Sequence, residues 1–133
     1  MSEPRHRIDP EALPHAPERL EPRQQVGVAA FDAVDLRVGT VTAVAPFPAA
    51  RDPAYQLTVD FGPVLGVLRT SAKITHYDAD ALVGRQVVGA VNLGTRRIAG
   101  FDSQFLVLGG LEPDGTVRLL SPDAPLPDGA PVS

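Results

Sequence analysis

Glycine and proline punctuate this chain so often that its regular elements must be short. There are 12 glycines and 14 prolines among 133 residues. Neither is well tolerated inside a helix, whereas turns between strands use both. Between the breaks, apolar residues recur with period two. In FDAVDLRVGTVTAVAPF, Leu36, Val38, Thr40, Thr42 and Val44 alternate with Arg37, Gly39, Val41 and Ala43. That predicts one long half-buried strand stopped by Pro46 and Pro48, with Asp32 placed ahead of it to cap a helical turn. YQLTVDFG sets Tyr55, Leu57, Val59 and Phe61 on one face of a second strand. Gly62-Pro63 turns the chain into a third, VLGVLRTSA. DADALVG reads as one short helical segment ended by Gly84, RQVVGAVNL as a fourth strand and FLVLGGL as a fifth. TVRLLSPD adds a short strand after the turn at 113–115, before a Pro/Gly-rich tail.

Many short strands with a single convincing helix between the third and fourth predict an all-β domain. The layout is that of the OB-fold, a five-stranded Greek-key barrel with short helices, spanning residues 29–133. Residues 1–28 carry Pro4, Pro10, Pro14, Pro17 and Pro22 among mixed charges. They predict an extended or poorly ordered N-terminal arm, with a helical turn at most around Asp9–Leu13.

Composition narrows the function. The chain has no cysteine, which removes disulfides, thiolate nucleophiles and Cys-ligated zinc. No stretch approaches the roughly 20 apolar residues of a membrane span, and the N-terminus lacks the apolar core of a signal peptide. A cytoplasmic protein without membrane insertion is the expectation. Of three histidines, His6 and His15 lie in the arm and His76 has no partner at metal-ligand spacing. Asp78 and Asp80 stand where the short helix begins and suit its dipole. With no nucleophile, phosphate-loop or metalloprotease motif present, the chain reads as non-catalytic, with no cofactor and no metal.

The basic residues are more informative, although a net charge of −4 is unusual for a nucleic-acid binder. Arg69, Ser71 and Lys73 end the third strand and enter the next segment; Asn92, Arg96 and Arg97 follow the fourth. In a barrel these segments can reach the same end, joined by Arg51. Guanidinium groups with hydroxyls and an amide are what backbone phosphate requires. Arg37, Arg85 and Arg118 read as solvated edge charges. Phe31, Phe61 and Phe105 fall at core positions, and only Phe47, Tyr55, Tyr77 and Phe101 are open to exposure. That is too few for a single-strand binder built on stacking platforms, and fits a shaped RNA better.

FDAVDLRVGTV, FPAARDPAYQLTVDFG, TSAKIT, VVGAVNLGTRRIAGFDSQFLVLGG and LLSPDAPLPDGAPV together resemble the CsaA family, a branch of the tRNA-binding-domain superfamily. The resemblance runs from about Phe31 to the C-terminus. It implies a homodimeric OB-fold with two activities: binding tRNA or tRNA-like RNA, and acting as an export-related chaperone for unfolded preproteins. It implies RNA contacts at Asn92, Arg96, Arg97, Gly100, Ser103 and Gln104, with Arg51, Ser71 and Lys73 from neighbouring segments. A chaperone would need an apolar cleft at the dimer, for which Phe47, Pro48, Tyr55 and Phe101 are the candidates. The chain departs from the family pattern at Gly94-Thr95, where prolines are usual, and at Asp52 and Asp102, where basic residues occur. A module that only docks its arm on a larger assembly is the third expectation.

Overall fold

The computed structural model describes residues 13–133. In chain order the strands are β1 (Leu36–Pro46), β2 (Tyr55–Asp60), β3 (Val67–Ala72), β4 (Gln86–Ala90), β5 (Arg96–Ile98), β6 (Phe101–Ser103), β7 (Leu106–Val107), β8 (Gly109–Leu111) and β9 (Val117–Leu119). Three short helices are interspersed: α1 (Val28–Asp32), α2 (Gly62–Leu65) and α3 (Ala79–Leu82). Five strands form one antiparallel sheet in the order β3-β2-β1-β4-β7. Its two edges meet and nearly close the barrel. The Gln104 backbone N–H donates to the Arg69 carbonyl at 2.7 Å, and the Thr70 hydroxyl donates to the Phe105 carbonyl at 2.6 Å. This is the OB-like barrel that the alternation predicts. As expected, α3 sits between the third and fourth barrel strands, with the Asp78 carboxylate accepting from the Asp80 N–H as its cap.

Leu57, Val59 and Phe61 point inward as the second strand's alternation requires, and meet Val41, Ile74, Leu82 and Val87 in one core. The Phe61 and Phe105 rings pack edge to face with centroids 4.9 Å apart, an arrangement worth about 0.5–1.5 kcal/mol beyond burial. Two glycines make room for it. A Cβ on Gly39 would stand 2.7 Å from the Phe61 ring, and one on Gly89 2.8 Å from both rings. A bulge between Val41 and Ala43 shifts the register of β1 against β2. It changes the phase of the strand, so Val41 and Val44 both reach the core although they were expected on opposite faces.

Val38, on the other face, is covered by the C-terminal tail. Its N–H donates to the Ala130 carbonyl (2.9 Å) and its carbonyl accepts from Gly129 (2.7 Å), while the Val132 N–H reaches Leu36. Side chains reinforce the strap: Thr40 donates to Asp128 (2.6 Å) and the Arg37 guanidinium to the Gly129 carbonyl (3.1 Å). Arg37 and Arg85 are therefore not the solvated edge charges their positions suggested. Arg37 also pairs with Asp35, and Arg85 donates to Ser121 (3.1 Å) and lies over the Tyr77 ring. Arg118 is exposed and paired with Glu112.

Other expectations are corrected locally. Gly62-Pro63 opens a one-turn helix rather than a simple turn. The fifth strand divides at Leu108, β7 pairing with β4 and β8 with β9. Gly27, not Asp32, stands at the N-cap of α1, and Asp32 ends that helix. Phe31 is 47% exposed rather than in the core. In the arm, the His15 N–H donates to the Pro113 carbonyl, Ala16 is buried, and Pro17–Arg19 form a 3₁₀ turn. The turn expected around Asp9–Leu13 lies, apart from Leu13, outside the described residues. No helix among those described is long and apolar enough to cross a membrane.

Candidate nucleic-acid interface

The arginine pair lies on a hairpin. β5 and β6 pair through Ile98 and Phe101 around the two-residue turn Ala99-Gly100. Both turn residues have positive φ, 47° and 81°, the twist that suits tight hairpins. Because side chains alternate along a strand, Arg96 and Arg97 face opposite ways. Arg97 lies across from Asp102 and its guanidinium is paired with that carboxylate at 2.8 Å. Arg96 lies across from Ser103, and no side-chain hydrogen bond or ion pair holds it among the described residues. The two neighbours thus have different fates, one neutralised and one left free.

Arg96 borders a cleft of about 350 Å³ that also receives Arg51, Ser71 and Lys73 over a floor of Phe47 and Ala54. Asp52 stands in the same cleft, bonded to the Lys73 ammonium at 2.9 Å. The hydrogen bond from Lys73, then its charge and that of Arg51, hold the Asp52 carboxyl below its ordinary value of 3.8. It therefore stays ionised at neutral pH and offsets part of the cleft's positive charge. On the far side of Arg96 and Ile98 is a smaller pocket of about 170 Å³, bordered by Thr70, Ser103, Leu93 and Phe105 among others.

Four of the residues expected at the site, Arg51, Ser71, Lys73 and Arg96, are thus brought together, with Ser103 in the adjoining pocket. Gly100 sits in the hairpin turn, and the other four are not brought to the cleft. The Arg69 guanidinium lies 4.6 Å from the Phe101 ring centroid and donates to Gln56. The Gln104 side-chain carbonyl accepts from the Arg69 N–H. Arg97 faces away with Asp102. Asn92 accepts from the Asp35 N–H and donates to the Ala33 carbonyl, both at 2.8 Å, so its amide anchors the link between α1 and β1. Thr70, only 1% exposed, was missed. The alternation of β3 between Arg69 and Ser71 is the signal that turns it inward.

The apolar candidates split as well. Phe47, Pro48 and Tyr55 border an open groove of about 340 Å³, but Phe47 is buried and Phe101 is only 6% exposed. Their rings meet at 5.3 Å in a small cluster with Ala54, so neither is the free aromatic that its loop position suggested. Tyr55 and Tyr77 are half-buried, the Tyr55 hydroxyl donating to the Tyr77 carbonyl.

Comparison with known proteins places the chain in a family. Residues 36–131 match the family model described as "Putative tRNA binding domain". A CsaA chaperone of Bacillus anthracis superposes with a TM-score of 0.78 at 44% identity, over 83% of this chain and 100% of that one. A CsaA chaperone protein of Picrophilus torridus gives 0.78 at 37% identity, over 82% and 100%. A methionine–tRNA ligase of Porphyromonas gingivalis is 33% identical over 102 residues, 77% of this chain, which spans only 15% of that ligase's length. The chain belongs to the tRNA-binding-domain family, on its CsaA branch.

Proposed function

We propose that this protein is a non-catalytic, cytoplasmic RNA-binding module that grips tRNA or tRNA-like RNA through the cleft between β3 and the β5–β6 hairpin. The observation that carries this reading is the convergence of Arg51, Ser71, Lys73 and Arg96 on one concave surface, with Arg96 unpaired among the described residues. A guanidinium, an ammonium and a hydroxyl in one cleft suit a bent phosphate backbone. Each subunit offers few free cations, so a homodimer presenting two such clefts is the form that binds usefully. A salt titration of bulk-tRNA binding by fluorescence anisotropy tests the reading. Each neutralised phosphate contributes a slope of roughly −0.7 to −0.9 in log affinity against log salt. Arg96→Glu is expected to abolish most of the binding; unchanged binding in that variant would overturn the assignment.

The open groove at Phe47, Pro48 and Tyr55 favours a second activity, capture of unfolded preproteins as an export-related chaperone. CsaA relatives are described as chaperones, and proline and aromatic surfaces suit extended chain. Suppression of aggregation of a denatured client, lost on Pro48→Glu, is the expected result. No suppression at stoichiometric protein would remove this reading.

A further inference from the structure

We propose that the pocket beneath the β5–β6 hairpin takes one unstacked pyrimidine of the bound RNA and selects cytosine over uracil. The inference rests on the RNA-binding reading above and adds a base-reading site to it. Arg96 borders both the cationic cleft and this pocket, so a strand whose phosphate meets Arg96 has its base within reach of the pocket. The volume, about 170 Å³, matches one ring rather than two, since a cavity of about 150 Å³ admits benzene. Leu93, Ile98, Phe105 and Leu106 supply the apolar walls. Leu93 and Leu106 are 56% and 54% exposed, an apolar rim that the barrel core does not use. Phe47 and Phe101, the aromatic residues nearest the cleft among the described residues, are buried, and a walled pocket is another way to shield a splayed base.

The choice between pyrimidines follows from hydrogen-bond accounting. A carbonyl cannot donate, so the 2.6 Å contact between Thr70 Oγ1 and the Phe105 carbonyl uses the single Thr70 hydroxyl hydrogen. The 2.9 Å contact between Thr70 Oγ1 and Ser103 Oγ must then use the Ser103 hydrogen. The Ser71 N–H approaches Ser103 Oγ at 3.4 Å and occupies one lone pair. What Ser103 has left is an acceptor and no donor. Cytosine presents an amino group to it. Uracil presents a carbonyl at the same ring position, which faces an acceptor with no hydrogen between them. The Arg96 guanidinium at the mouth is free to donate to the other ring acceptors.

The experiment compares fluorescein-labelled oligocytidylate, oligouridylate and an oligomer of N4,N4-dimethylcytidine, equal in length, alongside bulk tRNA. Oligocytidylate is expected to bind about two- to tenfold more tightly than oligouridylate, the worth of one hydrogen bond. Dimethylation of the ligand, which removes both amino hydrogens without touching the protein, should erase that margin, and so should Ser103→Ala. Arg96→Glu should weaken all oligomers together. Equal, salt-sensitive binding of the cytidine and uridine oligomers overturns the pocket and leaves the phosphate cleft standing. So does binding of tRNA when neither homopolymer binds. Failure of every RNA to bind overturns the pocket and the RNA-binding reading together.

Discussion

The two sides of the barrel use the same residue types in opposite ways. On the side strapped by the C-terminal tail, polar groups are consumed by the fold. Gln86 donates to the Leu126 carbonyl at 2.7 Å and accepts its N–H at 3.0 Å; Thr40 holds Asp128; Arg37 and Arg85 hold main chain or a serine of the C-terminal segment. A wide groove of about 570 Å³ opens there too, yet its arginine and amide already have partners. On the hairpin side, among the described residues, Arg96 has no side-chain partner, Arg51 does no more than attract Asp52, and Ser103 retains an acceptor. The larger groove is therefore the poorer binding site. Unspent hydrogen-bonding capacity, not cavity size or the number of cations, distinguishes the surface available to a ligand.

This contrast can be broken most forcefully on the tail side. A Cβ on Gly62 would stand 2.3 Å from the Asp128 carbonyl oxygen, at a φ of 89°. Gly62→Ala is expected to destabilise the protein by about 3 kcal/mol, read as a lower urea midpoint, while the folded fraction keeps its RNA affinity. An unchanged midpoint would mean the tail is not a structural strap. Arg96→Glu should do the reverse: tRNA affinity at low salt falls about tenfold or more and the salt slope drops by about 1, with the melting temperature intact. Gln86→Ala, which removes both bonds to Leu126, should cost about 1–2 kcal/mol of stability and leave RNA binding untouched; weakened binding there would erase the distinction between the sides. Asp102→Asn removes one negative charge from the hairpin and should strengthen tRNA binding a few-fold at low salt, an effect that added salt screens. The smallest effect concerns pH. Asp52 has a lowered carboxyl value, so its attraction to Lys73 is present above the ordinary value of 3.8 and is lost only as pH falls through the lowered one. Titrating tRNA affinity downward from neutral to about pH 5 should therefore reveal no release of Lys73, and a rise in affinity attributable to Lys73 in that range would contradict the pairing.

The barrel strands were legible because period-two alternation survives wherever one face is buried: Leu57 and Val59 declared their strand without further context. The hairpin was not, since Arg96–Ile98 and Phe101–Ser103 are each three residues long and carry no apolar rhythm of their own. Phe101 looked free for the same reason, and it is buried by Phe47 from the end of β1, by Ala54 and by the Arg69 guanidinium. Asn92 was placed at the RNA site by its position after the fourth strand and by family resemblance, but its partners lie 57 and 59 positions earlier in the chain, a relation no local pattern encodes. Conversely Phe31, aromatic and preceded by apolar residues, looked like core yet sits on a one-turn helix, 47% exposed. Arg51, Ser71, Lys73 and Arg96 border one cleft because strand ends in a barrel of this topology converge. Which of the cations would be neutralised depended on Asp52 and Asp102, and pairing of that kind is decided by side-chain direction rather than by spacing.

The strap across β1 also sets a timetable for synthesis. The Arg37 side chain and the Gly129 carbonyl it holds are separated by 92 positions. At about 5–20 residues per second, a ribosome takes roughly 5–18 s to cover that interval. For that time the outer edge of the first barrel strand exposes the backbone groups of Leu36 and Val38 without the partners that will finally cover them. An open strand edge is a template for pairing with other chains. The nascent chain therefore passes through a window in which its own oldest strand is the part most exposed to mispairing, and the window closes only when residues 128–132 arrive.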